Sequence, residues 1–306
     1  MALLVAFQPG VPISGVRALS LDITGTLITH REPVMKSYAD AAVWARLPDP
    51  PSISELKPAF KQAYKEGLVR RAQISRKFGA LPAQFYISTQ RSAHQTEYPC
   101  FGGVTMSGRE WWRRTIRRVL ALCGRSGYTD AEFERYFRRV YQHFGSPNGY
   151  EVLDDAHALL SWAHEHDVLL GVTSNTPMRH AESVLPMLGL HDRFRWMACS
   201  QDVGAEKPDR ALFDASFEQA RFWLPSEVPL ERSEVLHIGD SLACDYCGAR
   251  RAGFQALLVD RSDNPKVTAF QDWIDAPDYP GKSEEDIRDG TVADLHAVVE
   301  LLGAAT

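Results

Sequence analysis

Five short apolar runs, each ending in a polar or acidic residue, constrain the fold of this chain more than any other feature. Each run has the length of a strand, and turn residues bound it. The stretches between the later runs place apolar residues at helical spacing. Strands that alternate with helices form a parallel sheet covered on both faces. The sequence therefore predicts an α/β, Rossmann-like core, with strands at 16–22, 168–174, 194–200, 235–240 and 254–260.

Helices are expected before the second strand, between the later strands and at the end of the chain, where an amphipathic pattern predicts a closing helix. Ligands of such sheets bind beyond the carboxyl ends of the strands, so the polar residues at those ends are the first candidates for a site. The predicted helices are 153–166, 178–188, 210–222, 245–252 and 291–302.

Residues 30–149 differ in charge from the rest of the chain. They carry 20 Lys and Arg against 10 Asp and Glu, a balance of +10, while the remainder carries 14 against 29, a balance of −15. A charge switch at two points indicates an inserted domain. The sequence therefore predicts a core of residues 1–29 and 150–306 and a cap of residues 30–149. The basic cap either attracts the acidic core or draws anions toward a cleft.

The cap is predicted to be all-helical, because its apolar residues recur at helical spacing and few of its runs look like strands. Its basic residues form no motif that reads or stacks bases, so nucleic acid is not an expected partner. The expected cap helices lie at 38–46, 54–78, 107–123 and 130–144, with breaks at 48–51 and 99–103.

Cysteine usage and hydropathy favour a cytoplasmic protein. The five cysteines are few and odd in number, which suits a reducing compartment. Cys244 and Cys247 form a C-x-x-C pair, but no second pair completes a zinc site. No apolar run approaches the ~20 residues that span a bilayer. The apolar start of the chain lacks a basic segment, so it is not interpreted as a signal peptide, and an organelle transit sequence is the alternative.

Carboxylates and phosphate-binding donors follow the predicted strands. Asp22 ends the first strand, Ser174 ends the second, and Lys207 lies in the loop after the third. Asp240 ends the fourth strand, and Asp245 follows it by five residues. A carboxylate nucleophile needs a cation beside it before a phosphate can approach. Asp240 and Asp245 supply the oxygen ligands that suit Mg²⁺, and Ser174 and Lys207 can donate to phosphate oxygens.

These segments, in this order, resemble the four motifs of the haloacid dehalogenase superfamily of hydrolases. The resemblance covers about residues 16–260 and extends to the helical cap of subfamily I. Residues 201–209 and 237–253 resemble one eukaryotic branch in particular. The resemblance implies that Asp22 is the nucleophile and that Ser174 and Lys207 hold the phosphoryl group. It also implies that Mg²⁺ is bound by Asp22, the Thr24 carbonyl, Asp240 and Asp245.

The expected substrate is a small anionic phosphomonoester enclosed by the cap. The resemblance assigns the Thr26 hydroxyl to the first motif, where it is a candidate phosphate ligand. Asn175 is a second candidate, which either assists Ser174 in holding the phosphate or simply belongs to the turn. Arg113 and Arg117 lie on one helical face of the cap. They are candidates for substrate binding, and a solvated charged face is the alternative.

Position 24 departs from the family pattern. Phosphatases of this superfamily usually carry Asp two residues after the nucleophile as the general acid and base, and this chain has Thr24. Loss of such a group slows a reaction typically ~10²–10⁴-fold. Three functions therefore remain open: a slow Mg²⁺-dependent phosphatase, a 2-haloacid dehalogenase that needs no metal, and a phospholigand-binding protein without turnover.

Overall fold

The computed structural model describes most of the chain. Three predictions concern residues outside the described part: the start of the chain, the later part of the helix expected at 54–78 and the break at 99–103. The described residues are 13–63, 107–190, 192–225, 227–262, 267 and 290–305.

A six-stranded parallel sheet forms the centre of the molecule. Its strand order is β5-β4-β1-β6-β7-β8, and each of the five predicted runs is one of its strands. In β1, Leu21 lies opposite Val172 of β4 on one side and Ile238 of β6 on the other. The fold is therefore the predicted α/β, Rossmann-like type. In chain order the strands are β1 Ala18–Leu21, β2 Ile28–His30, β3 Tyr150–Val152, β4 Leu169–Ser174, β5 Trp196–Cys199, β6 Val235–Gly239, β7 Gln255–Val259 and β8 Thr291–Val292.

Strand β8 corrects the sequence prediction, which made residues 291–302 a single helix. Thr291 and Val292 instead pair with Leu258 and Val259 of β7. Both are β-branched residues, which fit a strand, and their backbone groups satisfy the edge of β7. The helix begins at Leu295, after Asp294, whose carboxylate accepts a hydrogen bond from the Ala297 amide.

Most helices begin and end near the predicted positions. Capping explains two of the starts: Ser107 accepts a hydrogen bond from the Glu110 amide, and Thr129 and Glu132 form a capping box. Among the described residues no helix has both the length and the apolar character needed to cross a membrane. The helices are α1 Val34–Trp44, α2 Gly108–Leu122, α3 Asp130–His143, α4 Asp154–Glu165, α5 Leu185–Met187, α6 Ser200–Val203, α7 Arg210–Arg221, α8 Cys247–Ala252 and α9 Leu295–Ala305. Residues 53–63 are also helical, and π-helical turns span His180–Val184 and Leu242–Tyr246.

The described helices of residues 30–149 share a hydrophobic cluster of their own. Tyr38 of α1, Phe60 of the 53–63 helix, Val119 of α2 and Phe137 of α3 are among its buried members. The chain leaves the sheet through β2 and returns through β3, and these two strands pair antiparallel. The division into a core of 1–29 and 150–306 and a cap of 30–149 stays a prediction, which this packing suits.

Close packing between β4 and the edge strand β5 depends on the glycine in β4. A Cβ placed on Gly171 would collide with the indole of Trp196, which lies on the neighbouring strand β5. The indole is buried, and its Nε1 donates a hydrogen bond of 2.9 Å to Ser216 Oγ on α7. Gly171 therefore makes room for a side chain that joins the sheet to a helix.

We predict that Gly171→Ala destabilises the protein. The added methyl group forces the Trp196 ring or a strand to move, and overpacking of this kind costs about 1–3 kcal/mol. Gly127→Ala is the matched control, because no atom lies within 4 Å of a Cβ at that glycine. Urea unfolding of both variants measures the effect. Equal stability of the two variants would show that the contact does not constrain the sheet.

Candidate active site

The carboxyl ends of β4, β1 and β6 bring the predicted site residues together. Asp22 follows β1 directly, Ser174 is the last residue of β4, and Asp240 follows β6. Because β1 lies between β4 and β6 in parallel register, these three residues occupy one edge of the sheet. Lys207 comes from the turn after α6 and Asp245 from the π-helical turn after β6, and their side chains reach the same edge.

Asp22 is a buried carboxylate held by two donors. Its side chain accepts hydrogen bonds from Ser174 Oγ at 2.8 Å and from Lys207 Nζ at 2.7 Å. Both bonds go to Oδ1, and within the described residues Oδ2 accepts none. The residue is 7% exposed. The two hydrogen bonds to Oδ1 therefore orient the Asp22 carboxylate, while Oδ2 is available to bind a ligand or to react.

Lys207 is the cation at the centre of the cluster. Its Nζ contacts Asp22 Oδ1 at 2.7 Å, Asp245 Oδ1 at 2.5 Å and the Thr173 carbonyl at 2.8 Å. These three acceptors match the three protons of the ammonium group. The Asn175 amide pairs with both the N–H and the carbonyl of Lys207, at 2.6 and 2.9 Å. Asn175 therefore holds the backbone that carries the lysine.

Asp245 accepts hydrogen bonds on both carboxylate oxygens. Oδ1 receives Lys207 Nζ and also lies 3.0 Å from His237 Nε2, while Oδ2 receives the Ser241 amide at 2.9 Å. An ionised carboxylate can only accept hydrogen bonds. The proton of a neutral His237 imidazole therefore lies on Nε2, which faces Asp245. Its Nδ1 then accepts from Ser20 Oγ at 2.8 Å. Burial lowers the pKa of His237, which is consistent with a neutral ring.

The two carboxyl groups beside Lys207 differ in acidity because they differ in partners. Burial raises the pKa of Asp22, and the opposing attraction of Lys207 does not cancel that effect. Burial alone would also raise the pKa of Asp245, but Lys207 and His237 outweigh it and lower that pKa. Lys207 itself is buried, yet the two carboxylates raise its pKa above the ordinary value. The ammonium and the Asp245 carboxylate are therefore both charged at neutral pH.

Asp22, Asp240 and Asp245 form an acidic group that can hold a metal ion. One oxygen from each lies within 4.8 Å of the others. Two glycines permit this approach, because a Cβ on Gly25 would collide with the Asp240 carboxylate and one on Gly239 with Asp245. When all three carboxyl groups are ionised, they and the Lys207 ammonium together carry two net negative charges. Such oxygen ligands and such a charge fit a hard divalent cation.

The two threonines of the first motif lie differently from each other. Thr24 is half-buried in the tight loop after Asp22, where it bridges to Ile28. Thr26 is fully buried, and its Oγ1 has no hydrogen-bond partner among the described residues. In this conformation the Thr26 hydroxyl is closed to solvent. Its assignment as a phosphate ligand stays a prediction, as does that of Asn175.

Arg113 and Arg117 are not part of the strand-end cluster in this structure. Arg113 Nε contacts Glu134 Oε1 at 2.6 Å, and an Arg117 amino group contacts Asp130 Oδ1 at 2.9 Å. The Arg117 guanidinium also lies over the Phe133 ring, 4.0 Å from its centre. These partners belong to α3. The contacts suit the alternative of a solvated charged face, and substrate binding by the two arginines stays a prediction.

Sequence reasoning missed a layer of polar residues below the site. Ser20 and His237 interrupt the apolar runs of β1 and β6, and an isolated polar residue in a buried strand indicates a hidden partner. Here Ser20 Oγ lies 2.7 Å from Thr173 Oγ1 and 2.8 Å from His237 Nδ1. Sequence reasoning also missed Arg261, which binds the loop after Asp22.

Comparison with known proteins identifies the family. The sequence matches the haloacid dehalogenase-like hydrolase family over residues 16–253. A protein from Mus musculus, haloacid dehalogenase-like hydrolase domain-containing protein 3, is 27% identical over 262 residues, which are 85% of this chain and 87% of the mouse protein. The chain therefore belongs to the haloacid dehalogenase-like hydrolase family, and it is a hydrolase. The resemblance inferred from the motifs, including the eukaryotic branch, is confirmed.

Solved structures with different activities share this fold. L-2-haloacid dehalogenase from Xanthobacter autotrophicus has a TM-score of 0.56 and 15% identity, and the match covers 95% of this chain and 100% of the enzyme. A predicted phosphoglycolate phosphatase from Haemophilus somnus has a TM-score of 0.55 and 15% identity, with coverages of 95% and 99%. At such identities the likeness shows the fold alone, so the reaction must be argued from the site.

We predict that Lys207→Met strongly destabilises the protein, because it leaves buried carboxylates without their cation. Removing one partner of a buried ion pair costs about 3–5 kcal/mol. Adding Asp22→Asn to Lys207→Met removes one of the unpaired charges and should recover part of this loss. Urea unfolding of the single and double variants gives the comparison. A double variant no more stable than Lys207→Met would contradict the electrostatic account of the cluster.

Proposed function

We propose that this haloacid dehalogenase-like hydrolase is a Mg²⁺-dependent phosphatase that acts on a small phosphomonoester through an aspartyl phosphate at Asp22. The observation that carries the proposal is the group of three neighbouring carboxylates, those of Asp22, Asp240 and Asp245, of which Asp22 and Asp245 also contact the ammonium of Lys207. The excess negative charge favours a divalent cation. A dehalogenase reaction at carbon needs no metal, so it would make no use of the metal-binding arrangement of Asp22, Asp240 and Asp245.

Asp22 and its two donors account for the first chemical step. The attacking atom is Asp22 Oδ2, which accepts no hydrogen bond among the described residues. As it bonds to phosphorus, the ester P–O bond breaks and its electron pair goes to the leaving oxygen. Ser174 and Lys207 lie within hydrogen-bond distance of Asp22, so they can turn their donors to the phosphoryl oxygens. Water then attacks the same phosphorus, which releases phosphate and restores the carboxylate.

The residues that would hold Mg²⁺ are Asp22, Asp240 and the carbonyl of Thr24, with Asp245 directly or through water. When bound, the ion supplies positive charge that lets an anionic phosphate approach an anionic nucleophile. Asp245 already accepts donors on both oxygens, so its position is fixed before any ion arrives. This preorganisation lowers the reorganisation needed on binding.

Residues 30–149 are proposed to act as a cap over this edge of the sheet. Their surplus of basic residues would draw an anionic substrate toward the cleft. A cap that encloses the site restricts the substrate to a small molecule. The identity of the leaving group lies outside what the motifs determine.

Thr24 limits the proton transfers of this mechanism. The leaving alkoxide must gain a proton in the first step, and the attacking water must lose one in the second. A threonine hydroxyl forms hydrogen bonds but does not exchange its proton usefully at pH 7. The same feature supports the second candidate function, a phospholigand-binding protein that retains the site without turnover.

An activity screen separates the candidates. Phosphomonoesters and 2-chloropropionate are each tested with Mg²⁺ and with a chelator, using wild type and Asp22→Asn. The proposal expects phosphate release that needs both Mg²⁺ and Asp22. Release of chloride without metal would support the dehalogenase instead, and Mg²⁺ binding without any turnover would favour the binding protein.

We predict that Thr24→Asp raises the turnover of alkyl phosphates at least tenfold, which corresponds to ~1.4 kcal/mol of barrier. The new carboxyl group supplies the missing acid and base without altering a side chain that binds the metal. p-Nitrophenyl phosphate should gain less in its first step, because its leaving group needs no proton.

Thr24→Asn is the matched control, since it has the shape of aspartate but no exchangeable acid. Steady-state rates on both substrate types give the comparison. Wild-type turnover of alkyl phosphates at ~10 s⁻¹, a typical enzymatic rate, would mean that another residue supplies the proton. An equal gain from Thr24→Asn would mean that shape, and not acidity, limits the wild type.

A further inference from the structure

A buried arginine binds the loop that carries the nucleophile. Arg261 lies two residues after β7 and is 9% exposed. Its two terminal nitrogens contact the two carboxylate oxygens of Asp155, on α4, at 2.6 and 3.1 Å. Asp155 is 6% exposed, and its Oδ2 also accepts the Leu295 amide at 2.7 Å. The pair therefore joins β7, α4 and the start of α9 beneath the surface.

The rest of the guanidinium group donates to the loop after Asp22. One terminal nitrogen lies 3.1 Å from the Thr26 carbonyl, and Nε lies 3.4 Å from the Gly25 carbonyl. The planar fork of arginine can contact a carboxylate on one side and two carbonyls on the other, whereas a lysine ammonium is a single point. The carbonyls that Arg261 binds belong to the two residues directly after Thr24.

Gly25 lies directly against the carboxylate of Asp240. Gly25 has a φ of +91°, a conformation that L-residues with side chains rarely adopt. The Asp240 carboxylate occupies the space where a Cβ of residue 25 would lie. A shift of the loop by the length of a bond would therefore either open a gap beside Asp240 or collide with it.

We propose that Arg261 is a positioning residue for the candidate active site. Anchored by Asp155, it fixes the Gly25 and Thr26 carbonyls and so holds the loop of Thr24 against Asp240. The expected effect of Arg261 on Mg²⁺ binding, which acts through Asp240, rests on the proposed function. The ordering of the loop does not, because every contact involved lies within the protein itself.

Hydrogen exchange without added metal tests the ordering of the loop. The Gly25 amide donates to the Ile28 carbonyl, and the Leu27 and Ile28 amides donate to the Ile23 carbonyl. We expect Arg261→Lys to raise the exchange rates of these three amides at least tenfold, because a lysine cannot bind Asp155 and both carbonyls together. Arg232→Lys is the matched control, since Arg232 also binds an acid, Asp214, and a carbonyl.

A second variant distinguishes positioning from ordinary structural support. Arg261→Met combined with Asp155→Asn removes both members of the ion pair, so no buried charge is left unpaired. We expect its melting temperature to exceed that of Arg261→Met alone, while loop exchange stays fast. Recovery of slow exchange in the double variant would overturn the proposal, as would unchanged exchange in Arg261→Lys.

The magnesium arm uses the metal alone as the probe. The Mg²⁺ concentration that gives half of the thermal stabilisation should rise at least tenfold in Arg261→Lys and stay at the wild-type value in Arg232→Lys. An unchanged Arg261→Lys midpoint would overturn the effect on Asp240. If wild type shows no stabilisation by Mg²⁺, the proposed function fails, and the exchange rates alone decide the role of Arg261.

Discussion

The ammonium of Lys207 is the interaction on which the rest of the site depends. It is 3% exposed and lies between the carboxylates of Asp22 and Asp245. A charge so deeply buried is tolerated only where geometry and hydrogen bonds compensate for lost hydration. Here the compensation comes from three acceptors on Nζ and from the Asn175 amide on its backbone. Lys207, Asp22 and Asp245 thus form one charged cluster. The negative charge that Lys207 does not neutralise favours the binding of a cation.

Two sets of buried contacts hold this cluster in place. Below it, His237 links Asp245 to Ser20 of the central strand, and this link determines which imidazole nitrogen carries the proton. Beside it, Arg261 binds the loop that follows the nucleophile. Gly25 contributes because it has no side chain, which leaves space for the carboxylate of Asp240. The site residues are therefore set by the packing of the sheet edge as much as by their own hydrogen bonds.

Sequence reasoning predicted the sheet and its charged edge because both follow from local patterns. Strand-sized apolar runs that end in Asp22, Ser174 or Asp240 determine topology and site together. It failed at β8, which is two residues long and exists only because β7 offers an edge to pair with. It also missed Arg261 and Asp155, whose role depends on their contact with each other, although they are 106 residues apart in the sequence. For Arg113 and Arg117 it left substrate binding and a solvated face both open, since their acidic partners lie on another helix.

The most direct test of the account is to locate the phosphate on the protein during turnover. Wild type is mixed with p-nitrophenyl phosphate and Mg²⁺, quenched in acid, and digested for peptide mass spectrometry. Thr24 cannot activate water efficiently, so the account predicts that the phosphorylated species accumulates, with the phosphate on Asp22. A burst of p-nitrophenol with the phosphate on another residue would contradict Asp22 as the nucleophile, and steady release with no phosphorylated peptide would contradict the slow second step.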